Sequence, residues 1–217
     1  FKYIEESPNL FIPENVNLKL TKDVENFGIQ WNKFQKTQFD SHTGMDLTES
    51  RLISSSDWDL KKLKGKLLLE LGSGAGRFTE IFLKYGAIVV SVELSSAIYS
   101  NYSNNKNKNL ILVKDSLIDF RFPEAIFDYV FCYGVAQHLP DPIDVYLSCV
   151  KNLKPSKGLV SIDHYWKRLG ERIPCFLYKS KYLWRPITTN LNPYFLLFLV
   201  KVISYIYLPF DIFIKKI

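Results

Sequence analysis

The stretch Lys66–Phe78, KLLLELGSGAGRF, decides the fold. Its first half is a short apolar run, as expected of a strand buried on both faces of a parallel sheet, and it stops at a glycine-rich turn. Gly72, Gly74 and Gly76 allow the backbone to turn sharply and approach a ligand, because no Cβ intrudes. Arg77–Tyr85 then reads as a helix with Phe78, Ile81 and Phe82 on its apolar face. Its N-terminus, with unpaired N–H donors, points at whatever the loop holds and suits an anion such as a carboxylate.

Outward from this unit the same alternation repeats. Ile88–Val92 (IVVSV) is a β-branched strand with Glu93 directly after it, and Ser95–Tyr102 starts a helix with Ser95 or Ser96 as N-cap. Leu110–Val113 is a third strand with Asp115 just beyond its end. Phe127–Tyr133 is a fourth, Pro142–Leu153 a helix with proline in its first turn, and Gly158–Ile162 a fifth strand. Strands alternating with helices imply a mostly parallel sheet with right-handed crossovers, whose ligands bind beyond the carboxyl ends of the strands. Gly72–Gly76, Glu93, Asp115, Tyr133–His138 and His164–Tyr165 all follow strands, so five strand ends bring their polar residues to one edge.

The spacing separates two ligand classes. A dinucleotide loop has the pattern GxGxxG, whereas here the third glycine comes one residue early and Glu70 stands two positions before the first. Glu93 lies where an acidic residue takes ribose hydroxyls. ELGSGAGRF, VVSVELSSA, LVKDSL and FDYVFCYGVAQHLPDP resemble the successive motifs of class I S-adenosylmethionine (SAM)-dependent methyltransferases, over residues 64–165. That resemblance implies a Rossmann-like α/β sheet and SAM as cofactor. Gly72, Ser73, Gly74 and Gly76 would wrap its methionine and ribose portion, and Glu70 would orient the amino group. Glu93, with Leu94 beside it, would grip the ribose hydroxyls, and Asp115 with Ser116 would meet the adenine. Tyr133 and Gly134 would line the methionine side. FGIQWNKFQKTQFDS (residues 27–41) and KYLWRPIT (residues 181–188) are similar to flanks of methyltransferases of sugar and cell-surface polysaccharide biosynthesis, which implies a sugar or lipid-linked saccharide hydroxyl as acceptor. GVAQHLPDP is also similar to quinone-biosynthesis methyltransferases, the competing subgroup.

Methyl transfer to oxygen or nitrogen is an in-line displacement, so alignment and exclusion of water are the main demands on the protein. His138, just past the fourth strand, is the candidate catalytic base for an acceptor hydroxyl; alternatively it only shapes the pocket. Gln137, His164 and Tyr165 are candidate acceptor contacts. In the helix read over Asp23–Gln38, the stripe Phe27, Trp31 and Phe34 is either core packing or, by the resemblance, part of a lid in which Gln30 and Trp31 fold over the cofactor.

Three segments follow: a helical cap over residues 1–60, the SAM-binding domain over 61–165, and a basic, aromatic helical extension over 166–217. Residues 1–20, punctuated by Pro8 and Pro13, read as irregular, Leu47–Leu60 as a weak helix and Asn101–Asn109 as a polar loop. Residues 1–150 carry 16 Lys and Arg against 19 Asp and Glu, and residues 151–217 carry 12 against 3. The basic character therefore sits in the last third, beside the apolar helix Pro193–Tyr207, which Pro209 should end. That helix is too broken for a membrane span, which needs about 20 apolar residues. It either packs on the sheet or lies at an anionic lipid surface. No antiparallel pair is readable between Trp166 and Ile217 and the chain starts without methionine, so a truncated sheet lacking its final antiparallel strands is expected. The first 20 residues show no leader, which points to the cytoplasm, with peripheral membrane contact through residues 166–217. Cys132, Cys149 and Cys175 form no metal-ligand spacing and read as reduced thiols, so no metal is expected. A small-molecule acceptor is expected rather than nucleic acid, because no Asn/Asp-Pro-Pro-Tyr loop follows the fourth strand; the oligomeric state is left open. Rival readings are an NAD-dependent oxidoreductase and a non-catalytic SAM-binding or membrane-associating module.

Overall fold

The computed structural model describes residues 3–14, 21–164 and 184–214. The chain divides into two compact units, residues 1–165 and 166–217. The first holds a seven-stranded sheet in the order β1-β2-β5-β4-β3-β6-β7. Its strands are β1 (Tyr3–Ser7), β2 (Leu10–Pro13), β3 (Leu67–Leu71), β4 (Ile88–Val92), β5 (Leu110–Val113), β6 (Tyr129–Cys132) and β7 (Leu159–Ile162). The helices are α1 (Lys22–Lys33), α2 (Asp40–Thr43), α3 (Leu47–Ser56), α4 (Arg77–Lys84), α5 (Ala97–Asn104), α6 (Pro142–Asn152) and, in the second unit, α7 (Pro193–Ile214). From β2 through β7 every pairing is parallel. This is the mostly parallel α/β sheet expected from the alternating pattern, in the Rossmann-like arrangement that the resemblance implied.

The strand pleat sorts the core onto two faces. Leu68 of β3, Val89, Leu112 and Phe131 pack with Phe78, Ile81 and Phe82 of α4 on one face. Leu69 and Leu71, Val90, Val92, Val130 and Cys132 pack with Val145 and Cys149 of α6 on the other. Both faces of β3 are covered, which is why its sequence is continuously apolar except at Glu70. Cys132 and Cys149 are free, buried thiols; Cys175 lies outside the described residues.

Several expectations need correction. Residues 3–13 are a β-hairpin, not irregular chain: β1 pairs antiparallel with β2, Asn9 turns at φ 64°, and β2 adds in parallel to the β5 edge. Pro8 sits in the turn and Pro13 at the strand end, positions where a missing N–H costs no ladder bond. The antiparallel pair is thus N-terminal, while β7 pairs only with β6 among the described residues. The α1 helix stops at Lys33, short of the expected Gln38, and the weak helix over Leu47–Leu60 ends at Ser56, followed by a single 3-10 turn at Leu60–Leu63. Residues 101–104 are helical rather than loop. The α7 helix runs through Pro209 to Ile214, so this proline removes one ladder bond without ending the helix. Its Tyr194, Phe198, Ile203, Tyr205 and Ile206 side chains are exposed. Among the described residues no helix is long and apolar enough to cross a membrane.

Leu10 of the hairpin is 1% exposed within the core. Leu10→Ala should therefore lower the unfolding free energy by about 2–5 kcal/mol, as large-to-small changes in packed cores do. Chemical denaturation checks this, and a loss near zero would mean that the hairpin is not part of the cooperative core.

Candidate functional site

Strand order reverses between β3 and β6, where crossovers diverge to opposite faces and leave a crevice at the carboxyl ends. The Gly72–Gly76 loop leaves β3 there and the Tyr133–His138 segment leaves β6. Gly72, Gly74 and Gly76 have φ of 77°, 55° and 92°. At Gly76 the requirement is also one of space: a Cβ would lie 2.2 Å from Asn101 Oδ1 and 2.4 Å from Asn105 Nδ2. Those two asparagines hold the loop from below. Asn105 Nδ2 donates to the Gly76 carbonyl and to Asn101 Oδ1, both at 2.8 Å. Asn101 Nδ2 donates to Ser73 Oγ and Thr79 Oγ1, both at 3.0 Å, and Asn104 Nδ2 donates to the Ala75 carbonyl at 3.2 Å.

Glu93, at the end of β4, reaches back to the loop. Its Oε2 accepts from Gly74 N at 2.9 Å and its Oε1 from Ser95 N at 2.8 Å. Leu94 is partly buried beside it. Asp115, just past β5, is 7% exposed; its Oδ1 accepts from Ser116 N and its Oδ2 from Tyr3 Oη, both at 2.7 Å. Burial and this carboxylate push the Tyr3 phenol up to about 12. Glu70 is fully buried on the α4 face of β3, and its Oε2 accepts from Thr79 Oγ1 at 2.5 Å. Its carboxylate thus braces α4 under the loop.

The β6 side carries the remaining candidates. Tyr133 is buried, stacked on Phe131 with centroids 4.2 Å apart, and shares a 2.7 Å hydrogen bond with Ser161 Oγ. Gly134 N donates to Asp163 Oδ1. Gln137 holds both amide atoms away from solvent with no hydrogen-bond partner among the described residues. His138 and His164 are exposed; Tyr165 lies outside the described residues.

The α1 helix covers part of this edge. Trp31 packs over Gly74, with its Nε1 3.3 Å from where a Cβ would stand. Phe27 meets the His138 ring edge-on at 4.8 Å. Asn32 Nδ2 donates to Ser96 Oγ at 2.9 Å, and Ser100 Oγ donates to Asn32 Oδ1 at 2.5 Å. Gly28 permits this approach, since a Cβ there would stand 2.5 Å from Ser96 Oγ. Phe27 and Trp31 therefore face the site, whereas Gln30 is exposed and Phe34 lies beyond the helix at 38% exposure. Reading the residues alone missed Asn101, Asn105 and Gly28. Three asparagines at spacings of three, four and one in NYSNN were the available signal that one helix face is polar toward a neighbour.

Burial holds the Glu70 carboxyl at about 7, above its ordinary value of 4.5, with the Thr79 hydroxyl opposing the shift. The folded chain therefore keeps a proton that the unfolded chain releases between those values. Its stabilising contribution is complete below pH 4.5 and is lost as pH rises through 7. Glu70→Gln should remove this decline, giving a melting temperature above that of the unsubstituted chain at about pH 8 and a smaller difference at about pH 5. Thermal unfolding across that range checks it; a parallel pH profile for both proteins would refute the assignment.

Residues 69–161 match the family model described as a methyltransferase domain. The chain is 26% identical over 119 residues to the ubiquinone biosynthesis O-methyltransferase of Coxiella burnetii, covering 54% of this chain and 49% of that protein. It is 30% identical over 156 residues to phosphoethanolamine N-methyltransferase 2 of Caenorhabditis elegans, covering 63% and 35%. The chain thus spans about half or less of the length of these curated relatives. Among solved structures, a Methanococcus maripaludis protein described as an S-adenosyl-L-methionine-dependent methyltransferase superposes with a TM-score of 0.53 at 15% identity, over 88% of each chain. That likeness shows the fold.

Proposed function

We propose that this chain is a SAM-dependent methyltransferase that methylates a hydroxyl of a small-molecule acceptor. The carrying observation is a glycine loop at the strand-order reversal whose Gly74 N donates to Glu93 at the next strand end, with Asp115 at the strand end beyond it. The residues fit the cofactor. The Gly72–Gly76 backbone, with Ser73, presents no bulky side chain, Glu93 already faces the loop, and Asp115 lies one strand further along. In this reading Glu93, flanked by Leu94, holds the ribose hydroxyls, and Asp115 with Ser116 meets the adenine. Tyr133 and Gly134 line the methionine side, and Glu70 acts by holding the loop and α4 in place for the amino group. SAM supplies an electrophilic methyl group when bound.

The chain's own contribution is alignment and dryness. Trp31 and Phe27 shield the loop, with Gln30 at the rim of this lid. A buried amide without partners is costly, so Gln137 is poised for a polar group of the acceptor. His138 takes the acceptor's proton, and His164 borders the acceptor from beyond the end of β7. The acceptor in this reading is a sugar or lipid-linked saccharide. The basic last third and the apolar α7 support presentation of such an acceptor at an anionic lipid surface. A phenolic quinone precursor is the second reading, favoured by the likeness to ubiquinone O-methyltransferases.

Calorimetric titration with SAM and with NAD tests the reading. SAM should bind, NAD should stay silent, and Glu93→Ala should weaken SAM by about tenfold or more, the loss of a charge-assisted pair of hydrogen bonds. Binding of NAD in preference to SAM, or SAM affinity indifferent to Glu93→Ala, would sink it.

A further inference from the structure

Tyr3 is the first residue of β1 and lies opposite Pro13 of β2. Strand β2 runs parallel to β5 with Phe11 beside Val113, so the hairpin brings Tyr3 to the end of β5. There the Tyr3 Oη donates to Asp115 Oδ2 at 2.7 Å, between residues 112 positions apart. Arg121 N donates to the same Oη at 3.2 Å, which leaves the phenol's own hydrogen for the carboxylate. The raised phenol pKa of about 12, set first by burial, keeps that hydrogen in place near neutral pH. The ring stacks on Phe122 with centroids 6.3 Å apart and packs against the core cluster that holds Val113 and Phe127.

Asp115 is therefore held by both oxygens, from two separate parts of the chain. Its Oδ1 accepts from Ser116 N at 2.7 Å and its Oδ2 from the hairpin. A buried carboxylate needs such donors to be tolerated at all. Two of them on opposite oxygens do more, because they fix where its remaining lone pairs point. That matters for reading a purine edge, since a carboxylate can only accept. Adenine offers it a 6-amino group beside a bare acceptor at N1. A 6-oxo purine offers N1–H beside an acceptor at position 6. A carboxylate free to swing would follow the donor from one position to its neighbour and distinguish the two bases poorly. One clamped at both oxygens cannot.

We infer that Tyr3 is a positioning residue whose hydroxyl clamps Asp115, so that the site selects a 6-amino purine over a 6-oxo purine. The inference rests on the reading in which Asp115 meets the adenine of the donor. It gives the N-terminal hairpin a part in ligand selection, beyond its packing on the β5 edge. Tyr3 acts through Asp115 alone.

The test titrates the whole chain, Tyr3→Phe and Asp115→Asn with S-adenosylhomocysteine and with S-inosylhomocysteine, its 6-oxo counterpart. Tyr3→Phe keeps the ring that stacks on Phe122, and a thermal melt records that the fold is kept. The unsubstituted chain should prefer S-adenosylhomocysteine by about tenfold or more, the cost of leaving a polar pair unmatched. In Tyr3→Phe that preference should shrink about fivefold, with S-adenosylhomocysteine weakened and S-inosylhomocysteine unchanged or tighter. Asp115→Asn, whose amide can both give and accept, should bind the two alike. A preference unaltered in Tyr3→Phe, or equal losses for both ligands, would assign Tyr3 to packing alone and overturn the inference. A preference that survives Asp115→Asn would instead overturn the adenine assignment on which the inference rests. Failure of the unsubstituted chain to bind either ligand would sink the methyltransferase reading, and the inference with it.

Discussion

One buried chain of hydrogen bonds holds the rest of the site in place. It runs from Glu70 in the middle of β3 to Thr79 of α4, then to Asn101 and Asn105 of α5, and ends on the carbonyl of Gly76 and the hydroxyl of Ser73. Each member is buried or nearly so, where a polar atom left alone would be costly and a satisfied one gains strength from the low local dielectric. The glycine loop is therefore not a loose tether between strand and helix. Its shape is set from beneath by three secondary elements at once, and Gly76 is glycine because two asparagine side chains occupy the space of its Cβ.

From that fixed loop the other groups follow by topology. Glu93 and Asp115 sit one and two strands away on consecutive parallel strands, so their carboxylates arrive on the same edge without any long-range design beyond the sheet itself. The β6 end contributes Tyr133, Gly134 and Gln137 from across the reversal point. The N-terminal segment adds two features that the sheet alone would lack. The β1–β2 hairpin brings the Tyr3 hydroxyl to Asp115, and α1 lays Trp31 over Gly74. Two points on one polar edge, Asp115 after β5 and Gly74 after β3, are thus both tied to residues within the first 34 of the chain.

Much of this was readable from residues alone, for identifiable reasons. Strands β3, β4 and β5 stand out because β-branched or leucine runs are bounded by glycine or acidic residues, and the loop spacing separates the two cofactor classes. The hairpin was not readable, because Pro8 and Pro13 mark both irregular chain and the turn and end of a short edge strand. Asn101 and Asn105 looked like loop polarity; their partners lie more than twenty residues away in sequence, and no local pattern encodes such bonds.

The most direct measurement is a crystal structure of the chain grown with S-adenosylhomocysteine. The account predicts one molecule in the crevice between β3 and β6, its ribose at Glu93, its adenine beside Asp115 and its thioether against the Gly72–Gly76 backbone. Density for the ligand anywhere else, or an empty crevice at saturating ligand, would contradict it.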